Sequence, residues 1–253
     1  MTSWTLSLLS VGAVSVVSLV GLATLSVDEA RTRRAAALLV SFAVGALLGD
    51  AFIHLIPETF RRDAGALRPS LLVLGGMLLF FVVEKLLRHE HGLLHRYHHP
   101  GPIARPELAA VNVLGDAIHN FLDGVLIAAS YLTSPTLGLA TTVAVLFHEI
   151  PQELGDFGIL IHSGLSVRRA VLLNLASATA AILGSVVALL LGTVAGAAVT
   201  TVLVPVAAGG FVYIAAADLM PELQHDRTVR GLLVQAGLIS LGIGVMGLLT
   251  TLE

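Results

Sequence analysis

The stretch LFHEIPQELGDFGILIHSG, Leu146 to Gly164, carries ionisable side chains in the middle of an apolar segment. His148, Glu149, Glu153 and Asp156 lie there within little more than two helical turns. In a soluble protein this mixture would indicate an ordinary half-buried helix, because water solvates the polar face. The energetic cost of these charges therefore depends on whether water or lipid surrounds the helix. The composition of the whole chain indicates which of the two it is.

The whole chain is too apolar and too poor in charge for a soluble globular protein. Of its 253 residues, 56% are hydrophobic and 12% are charged, and the mean hydropathy is +0.90, whereas soluble domains carry about 25% charged residues. The chain is therefore expected to be a polytopic membrane protein. It contains no cysteine, which excludes disulfides and thiolate metal sites. Any metal ligands must then be imidazole, carboxylate or amide groups.

Eight windows contain the roughly 20 mostly apolar residues that a membrane span requires. They are residues 4–26, 36–58, 70–87, 108–131, 136–161, 170–192, 199–222 and 231–251. We expect an all-α integral membrane fold in a single domain over residues 1–253, with the first window a retained span rather than a cleaved leader. The one long connection, residues 88–107, contains five histidines and is expected to be a cytoplasmic loop.

The distribution of basic residues predicts the orientation in the membrane. With the N-terminus outside, eleven of the fourteen Lys and Arg residues fall in cytoplasmic connections and three in outer ones, and a cytoplasmic excess is the rule. We therefore expect both termini outside. Arg outnumbers Lys thirteen to one and the connections are short, which favours a multi-pass protein of the plasma membrane, specifically a bacterial inner membrane.

Similar motifs at the ends of two spans predict an inverted repeat, in which the first three and the last three spans are related and two spans lie between them (3+2+3). Span two ends with His54-x-x-Pro57-Glu58, and span seven ends with Asp218-x-x-Pro221-Glu222. The two spans run in opposite directions, as an inverted repeat requires. Chance similarity between short apolar runs is the alternative. Each proline also frees a backbone carbonyl one turn back, which a membrane protein tolerates where a polar path or a neighbouring helix satisfies it.

Spans four and five are expected to form a hairpin with its tip near Ser134. His119 precedes this tip by fifteen residues and His148 follows it by fourteen, so at about 1.5 Å rise per residue both lie at the same depth. Asp123 follows His119 by four residues and Gln152 follows His148 by four, which places each pair on one helix face. Two facing pairs predict a four-ligand metal site near the midplane.

Further polar residues extend this site toward both membrane surfaces. Asn120, Glu149 and Glu153 lie next to the two pairs and could form a neighbouring cluster. Asp50, His54 and Glu58 rise along one face of span two toward the outer surface and are candidates for an entrance path. Asp116 and Asp156 lie on the cytoplasmic side of the histidine pair and are candidates for an exit path, and Asp218 and Glu222 are further candidates for the path.

The cost of charge in lipid argues that these groups face one another. An uncompensated charge at a helix centre costs about 2.5 to 3.5 kcal/mol, and this hairpin carries five carboxylates and two imidazoles. The alternative is a purely structural role, in which the carboxylates share protons or form hydrogen bonds with amides and so hold the helices together. The clustering of seven ionisable groups by depth and by face favours a metal site. Imidazole and carboxylate without sulfur suit zinc, iron, manganese or cadmium.

The segments GDAFIHLIPE, HNFLDG, HEIPQELGDF and GGFVYIAAADLMPEL resemble the characteristic spans of the ZIP metal transporters, in particular the LIV-1-like branch. The resemblance covers essentially all eight spans. It implies a homodimeric carrier that moves divalent metal ions, chiefly zinc, into the cytoplasm by an elevator-like motion, with no organic cofactor and no nucleic-acid partner. The ligands that it implies are His119, Asn120, Asp123, His148, Glu149, Gln152 and Glu153.

Two positions depart from the family pattern. Gln152 stands where the LIV-1 pattern has His, and it can either bind the ion through its amide oxygen or support the site from just outside. Span six, which contributes a Glu in some members, offers Asn174 and Ser177 instead. A tightly held second metal ion is therefore not expected.

Two other functions compete with a carrier. HEIPQ resembles the HExxH helix of zinc metalloproteases, with Glu149 as general base, but that chemistry needs a second imidazole where Gln152 stands. The protein is therefore expected not to be an enzyme. A metal-gated channel could use the same ligands as a carrier, and the inverted repeat weighs modestly for the carrier.

Overall fold

A computed structural model describes residues 2–24, 29–62, 65–95, 106–224 and 228–252, and within these ranges every regular element is a helix. The long helices are α1 (Ser3–Val17), α2 (Glu29–Gly49), α3 (Leu67–His95), α4 (Pro106–Thr133), α5 (Pro135–His162), α6 (Val167–Ala178), α7 (Ala180–Ala195), α8 (Ala197–Tyr213) and α9 (Val229–Leu249). Short helical pieces extend three of them, at Gly21–Thr24, Ile56–Arg62 and Met220–Leu223. The all-α prediction is confirmed.

Seven helical segments within the described ranges are long and apolar enough to cross a membrane. They coincide with the predicted spans except for the fifth, and α6 and α7 together make the sixth, with a local break near Thr179. The helix α5 covers the predicted fifth span at full length, but the polar residues in its middle lower its hydropathy. The finding thus supports a multi-pass membrane protein and seven of the eight predicted spans.

The two segments that the sequence predicts to be related leave α-helical geometry at matching places. A π-helical turn covers Asp50–Leu55 and ends two residues before Pro57, and a second covers Ile214–Leu219 and ends two residues before Pro221. Proline has no N–H and its ring clashes with the carbonyl four residues back, so a wider turn relieves the contact. Such π-turns often mark functional sites.

The helices pack in pairs at close range. The helix α2 packs along α9, α3 along α8, α4 along α7, and α1 against α5. Glycines permit the nearest approaches, because a methyl group on Gly45 would overlap the Ile239 carbonyl of α9 and one on Gly76 would overlap the Val206 carbonyl of α8. Small residues at helix contacts are the usual means of association in lipid.

Reciprocal glycine contacts join α4 to α7. A methyl group on Gly124 would overlap the Ala181 carbonyl of α7, and one on Gly184 would overlap the Phe121 carbonyl of α4. The contact therefore holds the backbone of α4, which carries His119 and Asp123, at a fixed rotation against α7.

Buried hydroxyls bind α1 to the helices beside it. The hydroxyls of Ser7 and Ser185 lie 2.8 Å apart, and those of Ser10 and Tyr131 lie 2.9 Å apart. Ser15 donates a hydrogen bond of 2.9 Å to the Ala178 carbonyl. These contacts attach α1 to α4, α6 and α7, so that α1 and the two helices with the central histidines share one packed group.

Candidate metal site

The hairpin of α4 and α5 turns where the sequence predicts it. Ser134 has extended backbone, and its hydroxyl accepts a hydrogen bond of 3.1 Å from the Leu137 amide at the start of α5. Pro135 occupies the first position of α5, where its missing N–H costs nothing. This tight connection leaves α4 and α5 antiparallel and brings the middle of one helix level with the middle of the other.

Four ionisable side chains meet at that level. The Nε2 atoms of His119 and His148 lie 3.2 Å apart. Asp123 Oδ2 lies 3.1 Å from His148 Nε2 and 3.6 Å from His119 Nε2. Glu149 Oε1 lies 3.4 Å from His148 Nε2 and 3.5 Å from His119 Nε2. One ligand atom from each residue falls within 4.8 Å of all the others, which is a spacing that could hold one metal ion. We call these residues the four-residue cluster.

The cluster is closed off from solvent on most sides. The side chains of Asp123, His148 and Glu149 are 0% exposed, whereas that of His119 is 19% exposed. Neither carboxylate has a hydrogen bond of good geometry to the described residues. Buried carboxylates without such partners are costly unless a cation or proton compensates them, so this donor set fits a divalent ion.

A backbone contact orients one of the two imidazoles. His148 Nδ1 lies 3.3 Å from the Ala144 carbonyl one turn earlier in α5. Since a carbonyl can only accept, this contact favours the tautomer with the proton on Nδ1 and leaves the Nε2 lone pair facing the cluster. A histidine ligand held by such a contact is the usual arrangement in metal sites. Two imidazoles and two carboxylates are a donor set that suits zinc.

The remaining predicted ligands stand around this cluster. Asn120 is fully buried and donates a hydrogen bond of 2.8 Å to Asp116 Oδ1. Glu153 is also fully buried and accepts a short hydrogen bond from Asn174; it does not belong to the group within 4.8 Å. Gln152 lies one turn after His148 in α5 and is half-buried.

A second polar group lies beside the cluster, toward the start of α4 and the end of α5, which the sequence predicts to be the cytoplasmic side. Ser177 donates a short hydrogen bond to Asp116, and Asn174, one turn earlier in α6, binds Glu153. Asp116 and Glu153 are thus attached to adjacent turns of the same helix. Asp156, one turn after Gln152, is half-buried. In the sequence, Asn174 and Ser177 stand out only as replacements for a family glutamate, and no local pattern predicts that they join α4 and α5 to α6.

On the opposite side, the structure pairs two of the entrance candidates. Asp50 and His54 are buried, and His54 Nδ1 lies 3.3 Å from Asp50 Oδ1. The hydroxyl of Thr141 in α5 donates a hydrogen bond of 3.0 Å to Asp50 Oδ2, and it lies 3.0 Å from the Ser130 hydroxyl. No motif in the sequence predicts the roles of Thr141 and Ser130, because each is only a small hydroxyl in an apolar helix.

Other predicted positions lie near the surface or beyond the description. Glu58 forms an ion pair with Arg61, with 2.9 Å between Glu58 Oε2 and Arg61 Nη2, and the side chain of Arg61 is 66% exposed. The backbone of Asp218 lies in the second π-turn and that of Glu222 in the short helix after it, but their side chains lie outside the described part. The backbone of residues 88–95 continues α3 and that of residues 106–107 begins α4, so the predicted 88–107 loop is helical at both ends. Its side chains, including the five histidines, lie outside the described part as well.

Comparison with known proteins gives the site a family context. The family described as ZIP zinc transporter matches residues 1–107 and 89–250. The zinc transporter ZIP13 of Danio rerio is 32% identical over 261 residues, covering 84% of this chain and 75% of that protein. The zinc transporter ZIP4 of Mus musculus is 33% identical over 257 residues, covering 76% of this chain and 39% of that protein.

A fungal relative agrees with these two. The zinc transporter YKE4 of Saccharomyces cerevisiae is 29% identical over 242 residues, covering 84% of this chain and 70% of that protein. The match to the family extends over both predicted halves of the fold and over the hairpin that carries the four-residue cluster. The resemblance seen in the sequence is therefore confirmed, and this chain belongs to the ZIP zinc transporter family.

Proposed function

We propose that this protein transports divalent metal cations, chiefly zinc, across a membrane into the cytoplasm, with iron, manganese and cadmium as further substrates. The observation that carries the proposal is the four-residue cluster, in which two imidazoles and two carboxylates converge at the middle of two apolar helices. Zinc is the cargo, and the proposal includes no organic cofactor and no nucleic-acid partner.

In this proposal His119, Asp123, His148 and Glu149 bind the ion directly. Asn120, Gln152 and Glu153 are adjacent polar groups that the ion can engage as it moves. Asp50, His54 and Glu58 form the outer approach, and the inner approach consists of Asp116, Asp156, Asp218 and Glu222. The hydrogen bonds of Asp116 and Glu153 to α6 support a continuous polar route beside the cluster.

The proposed topology has eight spans in a single domain, with both termini outside. Here α5 is the additional span, and the contacts of its polar residues with α4 and α6 keep its charges away from lipid. The pairing of α2 with α9 and of α3 with α8 supports the 3+2+3 inverted repeat, because exchanging the two halves converts one pair into the other. The matching π-turns support it too. The proposed setting is a bacterial inner membrane.

An elevator-like carrier fits the way in which the helices are grouped. All four cluster residues come from α4 and α5, so the ligand set can move as a whole. Hydrogen bonds join α1 to α4 and α6 to α5, and glycine contacts join α7 to α4. The other four helices pair as α2 with α9 and α3 with α8. We propose that the first group slides against the second, and that the second provides the interface of a homodimer.

The position of Glu149 weighs against the metalloprotease alternative. A general base of that chemistry needs a free carboxylate facing a metal-bound water. Glu149 Oε1 instead approaches both imidazoles within 3.5 Å, as a ligand would. Zinc influx into proteoliposomes that contain the purified protein and a trapped zinc indicator tests transport directly. Saturable influx is expected, and its absence alongside cleavage of a model transmembrane peptide would favour the protease.

A change at Gln152 tests the preference for zinc. We expect Gln152→His to lower the apparent Km for zinc about tenfold and to lower the maximal rate, because imidazole is a better donor to zinc than an amide and tighter binding slows release. Selectivity should also shift away from manganese, which prefers oxygen. Parallel zinc and manganese uptake at matched expression measures this, and unchanged kinetics for both metals would place Gln152 outside direct contact.

The histidines of the residue 88–107 loop are proposed to be auxiliary. They lie in a predicted cytoplasmic connection rich in charge, glycine and proline, which is suited to collecting zinc after release. Replacing all five by Ser should change the uptake rate by less than about twofold, because changes away from a built site are usually small. Loss of uptake in a well-expressed variant would show that the loop is essential.

A further inference from the structure

A small cavity adjoins the four-residue cluster on the side of α3 and α8. Its volume is about 80 Å³, which leaves room for an ion with a few water molecules. Val83 and Glu84 of α3 line one wall, His119 and Leu122 of α4 line another, and Tyr213 of α8 lines a third. The cavity therefore lies where α4 meets the paired helices α3 and α8.

The exposed part of the four-residue cluster borders this cavity. His119 is the one member whose side chain retains exposure, at 19%, while the other three are at 0%. Because His119 also lines the cavity, an ion that leaves the cluster toward open space in this conformation passes His119 first.

The chemistry of the cavity wall then limits what can receive the ion. The wall beside His119 includes the apolar side chains of Val83 and Leu122, which cannot replace the ligands that a dehydrated cation gives up. Of the described residues that line the cavity, Glu84 alone carries a carboxylate. An anionic oxygen is a good ligand for every divalent ion proposed as cargo.

We propose that Glu84 is a transfer ligand, which takes the divalent ion from His119 as the ion moves between the four-residue cluster and the cavity. Glu84 lies on α3 and His119 on α4, so the transfer crosses the boundary between the two helix groups. Glu84 also precedes Lys85 and Arg88 at the end of span three that the charge distribution assigns to the cytoplasm, so the step belongs to release. This inference rests on the proposed transport function.

Flux and binding measured on the same purified variants test this role. Glu84→Gln should lower the maximal zinc influx into proteoliposomes about tenfold, while equilibrium zinc binding by calorimetry stays within about twofold, since the cluster itself is intact. Glu84→Asp should recover most of the flux, because it keeps the carboxylate. Lys85→Gln is a matched control one residue away, where the ammonium stacks on Phe81, and its influx should equal that of the wild type.

A second variant covers the case in which Glu84→Gln fails to fold. The chain has no cysteine, so Glu84→Cys provides its single thiol, and cadmium should slow modification of that thiol by a small charged reagent about tenfold or more. The transfer role would be overturned if cadmium had no effect on labelling or if Glu84→Gln showed normal influx. It would also be overturned if Glu84→Gln lost zinc binding together with influx. If the wild type shows no zinc influx, the proposed transport function fails and this inference fails with it; normal influx of both proteins refutes only the transfer role.

Discussion

His148→Ala is expected to reduce zinc uptake about a hundredfold or more, beyond the loss typical of a residue that only supports a ligand. His148 Nε2 lies within 3.1 to 3.4 Å of ligand atoms of His119, Asp123 and Glu149, so it occupies the centre of the cluster. Alanine removes one of the two imidazoles. The two buried carboxylates, Asp123 and Glu149, then repel each other with a single imidazole left to share the ion with them. Zinc influx into proteoliposomes, with the amount of inserted protein matched, measures the loss.

The control for this change lies on the same helix. Thr142 is buried in α5, and its hydroxyl donates a hydrogen bond of 2.6 Å to the Gly138 carbonyl of its own helix. Thr142→Val removes a polar group of α5 without touching the cluster and should retain most of the uptake. Normal uptake by His148→Ala, or equal losses in both variants, would contradict the assignment of His148 as a ligand.

Gly124→Ala is expected to destabilise the protein severely, because the added methyl group would overlap the Ala181 carbonyl of α7. A backbone atom cannot rotate away as a side chain can, so α4 and α7 must separate. Overpacking of a tight contact typically costs about 1–3 kcal/mol and occasionally more. The separation would also displace Asp123, the neighbour of Gly124, from the cluster. Thermal unfolding in detergent and zinc binding should therefore both decline.

Gly155→Ala is the matched control for Gly124→Ala. It lies in α5, and a methyl group there would meet no atom within 4 Å. Alanine favours a helix by about 1 kcal/mol over glycine, so this variant should match or exceed the wild type in thermal stability. Equal stability of the two alanine variants would show that α4 and α7 do not approach as closely as the glycine contacts indicate.

Much of the fold and part of the candidate site follow from local features of the sequence. The position of the hairpin tip could be predicted because Ser134 and Pro135 form a helix start that depends on neighbouring residues alone. The common depth of His119 and His148 then follows from the fixed rise of a helix. The π-turns before Pro57 and Pro221 were only partly foreseen: the sequence indicated a freed carbonyl, but not how the backbone accommodates it.

The composition of the cluster was harder to predict. Helical spacing directs attention to Gln152 as the partner of His148, because residues four apart share a face. The structure brings Glu149 to His119, Asp123 and His148, because a side chain one residue along from His148 also reaches the space between the two helices. In the same way, Thr141 beside Asp50 and Asn174 beside Glu153 are separated by 91 and 21 residues from their partners, and no local pattern links them.

The sequence by itself determined that this protein is a helical membrane protein with ionisable groups at the middle of two neighbouring spans. Hydropathy, helical rise and turn chemistry are properties of short segments, so they can be predicted without knowing how the rest of the chain folds. Only the tertiary structure decided which polar side chains meet and which one, His119, opens into a cavity beside Glu84. Those outcomes depend on how far each helix is rotated and how closely it approaches its neighbour, which the contacts between distant glycines and backbone carbonyls set.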